Sequence, residues 1–363
     1  MLTLIYPYRN RNIDRVKRSL DSLLSQTVTD FHVQFVDYGS AIEIALEVES
    51  LLKDYDFVNY KYYPTQFQPW NKCIALNSVI KRLNKGYCFV ADVDMIFHPE
   101  FIAKAISLQK QNTSTYFKVG FLNDEETKRA KNFTDYVIDF ESEEGATGLT
   151  MFPVEALQKL HGFDEFYHFW GAEDTDMHVR LRNSGCAVNF YGDEILMLHQ
   201  WHSSYRSKES SNISEELQLS GIVQMNHYHL KQAEVNKVTM VNRNDWGRPL
   251  NKTGFELLQN FIGEVRQITN KKETIDHFLF CELSEVKGEV SRFIFSEDDF
   301  QNSLKYKAKR SLGKKVPAYY SMKEINDKLL LHIISFYRDY PYTYQVSEAE
   351  NTIQLTICKP FIS

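Results

Sequence analysis

Short apolar runs alternate with amphipathic stretches along the first hundred residues. Leu2 to Tyr6, Phe31 to Val36 and Phe57 to Tyr62 are such runs, and runs of this length bounded by polar residues read as strands. Between the first two, Ile13, Val16, Leu20, Leu23 and Leu24 recur at helical spacing, which predicts a helix over residues 12–25. Helices are also expected over residues 42–53 and 71–83, the latter burying Ile74, Val79, Ile80 and Leu83. Another begins at Pro99, a residue suited to a first helical turn. This strand–helix rhythm predicts an α/β fold, a Rossmann-like, mostly parallel sheet with helices on both faces.

The texture changes near residue 250. A helix is expected over Phe255 to Ile268, strands over Phe278 to Leu283 and Arg292 to Phe295, a long helix over Met322 to Tyr337, and a last strand over Ile353 to Ile357. Two domains follow: residues 1–250, and a smaller α+β region at 251–363. The basic run from Lys305 to Lys315 reads as a solvated helix face. No motif in this region says whether it docks a substrate chain, mediates dimerisation or covers the core.

Candidate chemistry sits where predicted strands end. Tyr87-Cys-Phe-Val-Ala runs into Asp92-Val-Asp94. In an extended backbone residues i and i+2 point the same way, so the two carboxylates are expected to share one volume at a strand's carboxyl end. That end is where open α/β sheets bind ligands, and two hard oxygen donors there suit a divalent cation that holds a phosphate. Strand one ends in Pro7-Tyr8-Arg9 and strand two in Asp37, so these groups are expected at the same crevice. A second block, Gly162 to Leu181, holds five carboxylates within thirteen residues, with Trp170-Gly171 just before Glu173-Asp174. Capping explains one or two acids at a helix start; an indole beside a residue without a side chain suits gripping a sugar ring. Asp174 and Asp176 are expected to face different surroundings at helical pitch. A third block, His199-Gln-Trp201-His202, offers one imidazole of the pair to a cation already held by carboxylate. The Ser-rich, aperiodic stretch from Ser203 to Ser214 reads as a loop that closes over a ligand.

Composition narrows the classes. The 363 residues are 43% hydrophobic and 25% charged, as in soluble globular chains. A formal net charge of −6 argues against a nucleic-acid footprint. Aromatics reach 14%, which suits sugar-stacking surfaces but equally a thick core. Five cysteines, odd in number and without a C-x-x-C pair, fit unpaired thiols in a reducing compartment. With no signal-like amino terminus and no bilayer-length apolar stretch, the expectation is a cytoplasmic protein without a transmembrane segment, peripheral membrane contact remaining open. No G-x-G-x-x-G follows strand one and no G-x-x-x-x-G-K-S/T occurs, so a nicotinamide dehydrogenase and a P-loop enzyme lose support. An acidic crevice without a glycine-rich loop must bind phosphates through a metal.

Taken together, Pro7-Tyr8-Arg9, Val36-Asp37-x-Gly39-Ser40, Asp92-Val-Asp94, Trp170-Gly171-x-Glu173-Asp174 and His202 resemble a GT-A-fold glycosyltransferase. More narrowly, they resemble bacterial family-2 enzymes with the galactosyltransferase-type segment shared by β-1,4-galactosyltransferases and chondroitin-polymerase-like enzymes. The resemblance covers residues 1 to 210, and Tyr38 stands where family-2 members carry a second aspartate. It implies an inverting, metal-dependent transfer of galactose or N-acetylgalactosamine from a UDP-sugar to a saccharide acceptor, as in capsule, surface polysaccharide or glycan synthesis. It implies donor contacts at Pro7, Tyr8, Arg9, Asp37, Asn71, Asp92, Val93 and Asp94, and acceptor contacts at Trp170, Gly171 and Glu173. Asp174 would be the catalytic base. Mn²⁺, with Mg²⁺ as the alternative, would be held by Asp94, His202 and Asp92, with His199 in reserve. The rival readings are a sugar-nucleotide nucleotidyltransferase, which would want a glycine-rich basic loop after strand one, and a non-catalytic carbohydrate- or nucleotide-binding protein.

Overall fold

The computed structural model describes residues 1–203, 211–243, 245–286, 288 and 290–359. The chain forms two compact units, one of residues 1–66, 70–204 and 222–249, the other of residues 67–69, 205–221 and 250–363. Among the described residues no helix is long and apolar enough to cross a membrane, and the five cysteines are unpaired.

In the first unit the elements are β1 (Leu2–Tyr8), α1 (Ile13–Leu24), β2 (Phe31–Tyr38), α2 (Ile42–Leu52), β3 (Val58–Tyr63), α3 (Lys72–Ile80), β4 (Tyr87–Val90), β5 (Met95–Phe97), α4 (Phe101–Ser107), β6 (Thr113–Phe117), β7 (Gly120–Phe121), α5 (Asp124–Thr127), β8 (Phe140–Glu141), β9 (Thr150–Pro153), α6 (Val154–Lys159), α7 (Glu173–Asn183), β10 (Ala187–Tyr191), β11 (Met197–His199) and α8 (Ile222–Val235). Seven strands form the main sheet in the order β10-β6-β9-β4-β1-β2-β3. Only β9 runs antiparallel to its neighbours. The fold is thus α/β with a mostly parallel sheet.

Strand alternation explains the two-sided core. Leu4, Tyr6 and Tyr8 of β1 join one apolar cluster with Val16, Leu20 and Leu23 of α1 and Val48 and Leu52 of α2. Ile5 faces the other side, among Cys73, Leu76 and Ile80 of α3 and Met177 and Leu181 of α7. Successive side chains of a strand leave by opposite faces, so one apolar run serves both helix layers. Because β2 and β4 flank β1 in parallel, their carboxyl ends meet on one edge.

The second unit carries a four-stranded sheet, Val265–Thr269, Val290–Ser296, Thr352–Cys358 and Tyr342–Ser347 in spatial order. The helix Met322–Phe336 begins with a capping box, Ser321 and Glu324 each bonding the other's backbone N–H, and buries Ile325, Leu329, Leu330 and Ile333. Two sequence expectations fail here. Phe255 to Ile268 is not one helix: helix Lys252–Gln259 stops before Gly263, and Val265–Thr269 is a strand. Phe278 to Leu283 is not a strand but a wide helical turn burying Phe278, Leu279 and Leu283. A short apolar run does not tell a strand from a buried helix.

Candidate active site

The strand β4 ends at Val90, and Asp92 and Asp94 lie in the turn before β5. The alternation argument therefore does not apply to them: the turn hands the two carboxylates to different partners, where an unbroken strand would have given them one shared volume.

Asp94 is buried and faces two histidines. The strand β11 pairs antiparallel with β5, with His199 opposite Met95. Gln200 then fastens the crossing: its backbone N–H and its side-chain amide both donate to the Asp94 carbonyl, at 3.2 and 3.1 Å, and Arg18 donates to its side-chain oxygen at 3.0 Å. The next turn brings His202 back. His202 Nε2 lies 3.3 Å from Asp94 Oδ2 and His199 Nε2 3.8 Å from Oδ1. One ligand atom from each of the three residues falls within 4.8 Å of the others. The Asp94 Oδ1 atom is buried and accepts no hydrogen bond among the described residues. A buried carboxylate oxygen left without a donor is costly, and a cation at this point would satisfy it. A carboxylate and two imidazoles are a donor set that fits a divalent metal.

Asp92 turns instead to Lys72, whose ammonium lies 3.6 Å from it, 3.7 Å from Glu173 and 3.2 Å from Asp174. Lys72 opens α3 directly after its cap, Asn71, whose side chain accepts from the Ile74 N–H. A lysine at a helix start opposes the helix dipole, and three acids offset that. Two of them open α7, so two helix starts meet at one ammonium. Lys72 is only 13% exposed, and although burial favours its neutral form, Asp174, Asp92 and Glu173 hold its pKa well above the ordinary value. Burial pushes Asp92 upward, but Lys72 and His199 outweigh it and its pKa is lowered. One ammonium cannot serve three carboxylates equally. For Asp174, burial with Glu173 and Asp92 alongside overcomes the pull of Lys72, and its carboxyl is pushed up to about 8. Sequence reasoning missed Lys72; its awkward place at a helix start was the available signal.

The approach to α7 is strained. Phe169, Gly171 and Ala172 have φ of +63°, +102° and +73°. Such a conformation is costly for residues with a Cβ and concentrates at working sites. A Cβ on Gly171 would meet its first neighbour only at 3.9 Å, so the glycine is required by conformation rather than by space. Asn226 of α8 donates to the carbonyls of His168 and Trp170, at 3.2 and 3.1 Å, and holds the bend while the Trp170 side chain stays 46% exposed.

Three of the five clustered acids serve the fold. Asp164 accepts from His229 at 2.9 Å, Glu165 from Asn77 and the Gly247 N–H at 2.9 and 2.7 Å, and Asp176 from Arg180 at 2.7 Å, with that pair fully buried. Only Glu173 and Asp174 turn to Lys72. Asp174 and Asp176 thus face different surroundings.

The other residues singled out by sequence occupy the same strand edge. Pro7, Tyr8 and Val93 are buried, and the Tyr8 hydroxyl donates to the Arg11 carbonyl. Arg9 donates to the carbonyls of Tyr38 and Thr65 and lies over the Tyr38 and Trp70 rings, 5.2 and 5.6 Å from their centroids. Asp37 is fully buried and accepts from the Ser40 N–H at 2.8 Å and the Tyr60 hydroxyl at 3.1 Å; burial pushes its carboxyl upward against those bonds. Asn71 donates to the Glu165 carbonyl and bonds the His168 ring. Of the stretch expected to close over a ligand, residues 204–210 lie outside the described residues.

Residues 3–153 match the family model described as glycosyl transferase family 2, and residues 127–202 the model described as the N-terminal domain of galactosyltransferase. Residues 3–202 carry a glycosyltransferase domain. The two segments divide the candidate site: Lys72, Asp92 and Asp94 lie in the first, Glu173, Asp174, His199 and His202 in the second. The domain has the GT-A type of mostly parallel α/β sheet. No curated protein sequence gives a match. Solved structures similar to the chain include S. aureus TarS, at 16% identity over 55% of this chain and 36% of that one, with a TM-score of 0.42. The mannosyltransferase PcManGT from Pyrobaculum calidifontis, in complex with GDP-Man and Mn²⁺, matches at 17% identity over 56% and 58%, with a TM-score of 0.42. GalNAc-T7 with UDP, GalNAc and Mn²⁺ matches at 13% over 64% and 48%, with a TM-score of 0.47. The chain thus spans between about a third and three fifths of these proteins, and no substrate or activity follows from likeness at this level.

Proposed function

We propose that this chain is an inverting, metal-dependent glycosyltransferase that moves a sugar, galactose or N-acetylgalactosamine, from a UDP-linked donor to a saccharide acceptor. The observation that carries the reading is the pairing of two clusters at one sheet edge: an acid–histidine set with a bare buried oxygen, and an aspartate with an upward-shifted pKa beside a lysine. Asp94 and His202 are the metal ligands in this reading, with His199 close enough to join them. The imidazoles make Mn²⁺ a better fit than Mg²⁺, which prefers oxygen. When bound, the metal supplies positive charge against the leaving diphosphate.

The chain's own residues supply the rest. Trp170, with Gly171 and Glu173, forms the acceptor subsite, the exposed indole offering a flat face to a sugar ring. The acceptor hydroxyl attacks the anomeric carbon as the bond to UDP breaks, and its proton passes to the Asp174 carboxylate. A base works best with a pKa near the working pH, and burial beside Glu173 and Asp92 moves Asp174 in that direction. Lys72 keeps Asp174 oriented and favours its ionised form. A single base and direct displacement invert the anomeric centre. Pro7, Tyr8, Arg9, Asp37, Asn71, Asp92 and Val93 line the donor side in this reading. Because Asp37 spends both oxygens inside the fold, the nucleobase is left to the Arg9 neighbourhood.

The test is UDP release from a panel of UDP-sugars mixed with Mn²⁺ and saccharide acceptors. Release that needs acceptor and metal, with inverted product, supports the reading. Pyrophosphate release from a nucleoside triphosphate and a sugar phosphate would replace it with a nucleotidyltransferase, and binding without turnover by a binding protein.

A further inference from the structure

The second unit carries a helix whose outward face has no partner among the described residues. Helix Leu304–Ser311 and the residues after it hold Lys305, Lys307, Lys309, Arg310, Lys314 and Lys315. Six basic residues and no acidic one fall between Phe300 and Lys323, in a chain of net charge −6. Among the described residues none of the six basic residues from Lys305 to Lys315 makes an ion pair, whereas Lys323 pairs with Asp327 at 2.6 Å. The helix is anchored from one side only, where the Tyr306 ring lies 5.7 Å from that of Phe300 and 5.5 Å from that of Tyr319.

The opposite side is apolar and bare. Leu304, Ala308 and Leu312 follow at intervals of four and so lie within about 80° of one another at helical pitch. All three are exposed, Leu304 by 85% and Leu312 by 71%. Lys305 borders this stripe on one flank and Lys307 on the other, while Tyr306 sits across the helix from it. A charged helix that served only to stay in water would have no use for two bare leucines at the two ends of one face. An apolar stripe between lysines is the arrangement that lies in a bilayer interface: leucines enter the acyl boundary while the lysine stems reach the headgroups.

We propose that helix Leu304–Ser311, with Lys314 and Lys315, docks the protein on an anionic phospholipid bilayer. Charge complementarity selects anionic lipid over neutral lipid, and the leucine stripe selects a bilayer over a soluble polyanion such as a nucleic acid or an acidic glycan.

Flotation of the full chain with vesicles tests this. Vesicles of phosphatidylcholine with about 30% phosphatidylglycerol should recover at least about tenfold more protein than phosphatidylcholine alone, and about 0.5 M salt should remove most of the difference. The variant Lys305→Glu/Lys307→Glu/Arg310→Glu should lose recovery, and Leu304→Ser/Leu312→Ser should reduce it severalfold at unchanged charge. Circular dichroism shows that each variant is folded; if either is not, the salt titration of the unaltered protein carries the charge test. No recovery on anionic vesicles, or equal recovery of the charge-reversed variant, overturns the proposal. Recovery that RNA competes away and the leucine changes leave untouched replaces the bilayer with a soluble polyanion.

Discussion

The two ionic clusters of the glycosyltransferase domain each take an aspartate from the turn after β4 and end in opposite states. Around Lys72 the chain supplies both signs of charge, and three carboxylates share one ammonium within 3.7 Å. Around Asp94 it supplies only a carboxylate and two imidazoles, and among the described residues leaves a buried oxygen bare. The first cluster is closed by the protein; the second is open to a cation from outside. A closed cluster can tune a pKa and hold a geometry, but it needs no cation from outside. An open one adds little to the fold until its ligand arrives. On this difference rest the roles proposed above, base chemistry for Asp174 and metal binding for Asp94.

Substitutions can break that contrast, and the largest effect is expected at the base. Asp174→Asn keeps the shape and a hydrogen bond to Lys72 but cannot take a proton, so turnover should fall about 10²–10⁴-fold with UDP-sugar binding unchanged. A variant that keeps most of its transfer rate would remove Asp174 from the mechanism.

Lys72→Met should hurt stability as well as rate. It strands the largely buried carboxylates of Glu173 and Asp174, while Asp92 is 44% exposed and reaches water; breaking such a buried set costs about 3 kcal/mol, measurable by urea unfolding. The same change should move the acid limb of the rate profile upward, because Lys72 is what restrains the Asp174 pKa. A Lys72→Met protein as stable as the parent would show that the cluster is not closed as described.

The pH profile of the unaltered enzyme sharpens the point without mutation. In the proposed mechanism Asp174 works deprotonated, and its carboxyl is pushed up to about 8. Activity should therefore decline as pH falls through that value and the base takes up its proton. A limb near the ordinary carboxylate pKa of about 4 would mean that burial and the neighbouring acids do not act as argued.

A smaller effect is expected at the proposed acceptor subsite. Trp170→Ala removes an exposed ring, so KM for the acceptor should rise about tenfold with little change in stability. Unchanged acceptor KM would assign sugar recognition elsewhere.

How much of this was legible in the sequence follows from the range of the forces involved. The strands and helices of the first ninety residues were readable because burial writes local periodicity, as in Val16, Leu20 and Leu23. The paired aspartates were found by position at a strand end, yet their division between partners was not, since the strand stops at Val90. Lys72 meets Asp174 across 102 residues of chain, and no local pattern encodes that pairing. Asp176 was separable from Asp174 by helical pitch alone, which is local. In the second unit Phe255 to Ile268 carried a helix-like pattern past the point where Gly263 interrupts it. The strand Tyr342–Ser347 was overlooked despite its alternation.

The claim that the Asp94 cluster is the open one is tested most directly by thermal unfolding with Mn²⁺ and UDP. A ligand bound only by the folded state stabilises it by about 2.7 kcal/mol at a hundredfold excess over its Kd. Mn²⁺ with UDP should raise the midpoint of the parent well beyond the sum of either alone, Lys72→Met should keep a metal-dependent rise, and Asp94→Ala should lose it. An equal rise in Asp94→Ala would contradict the account.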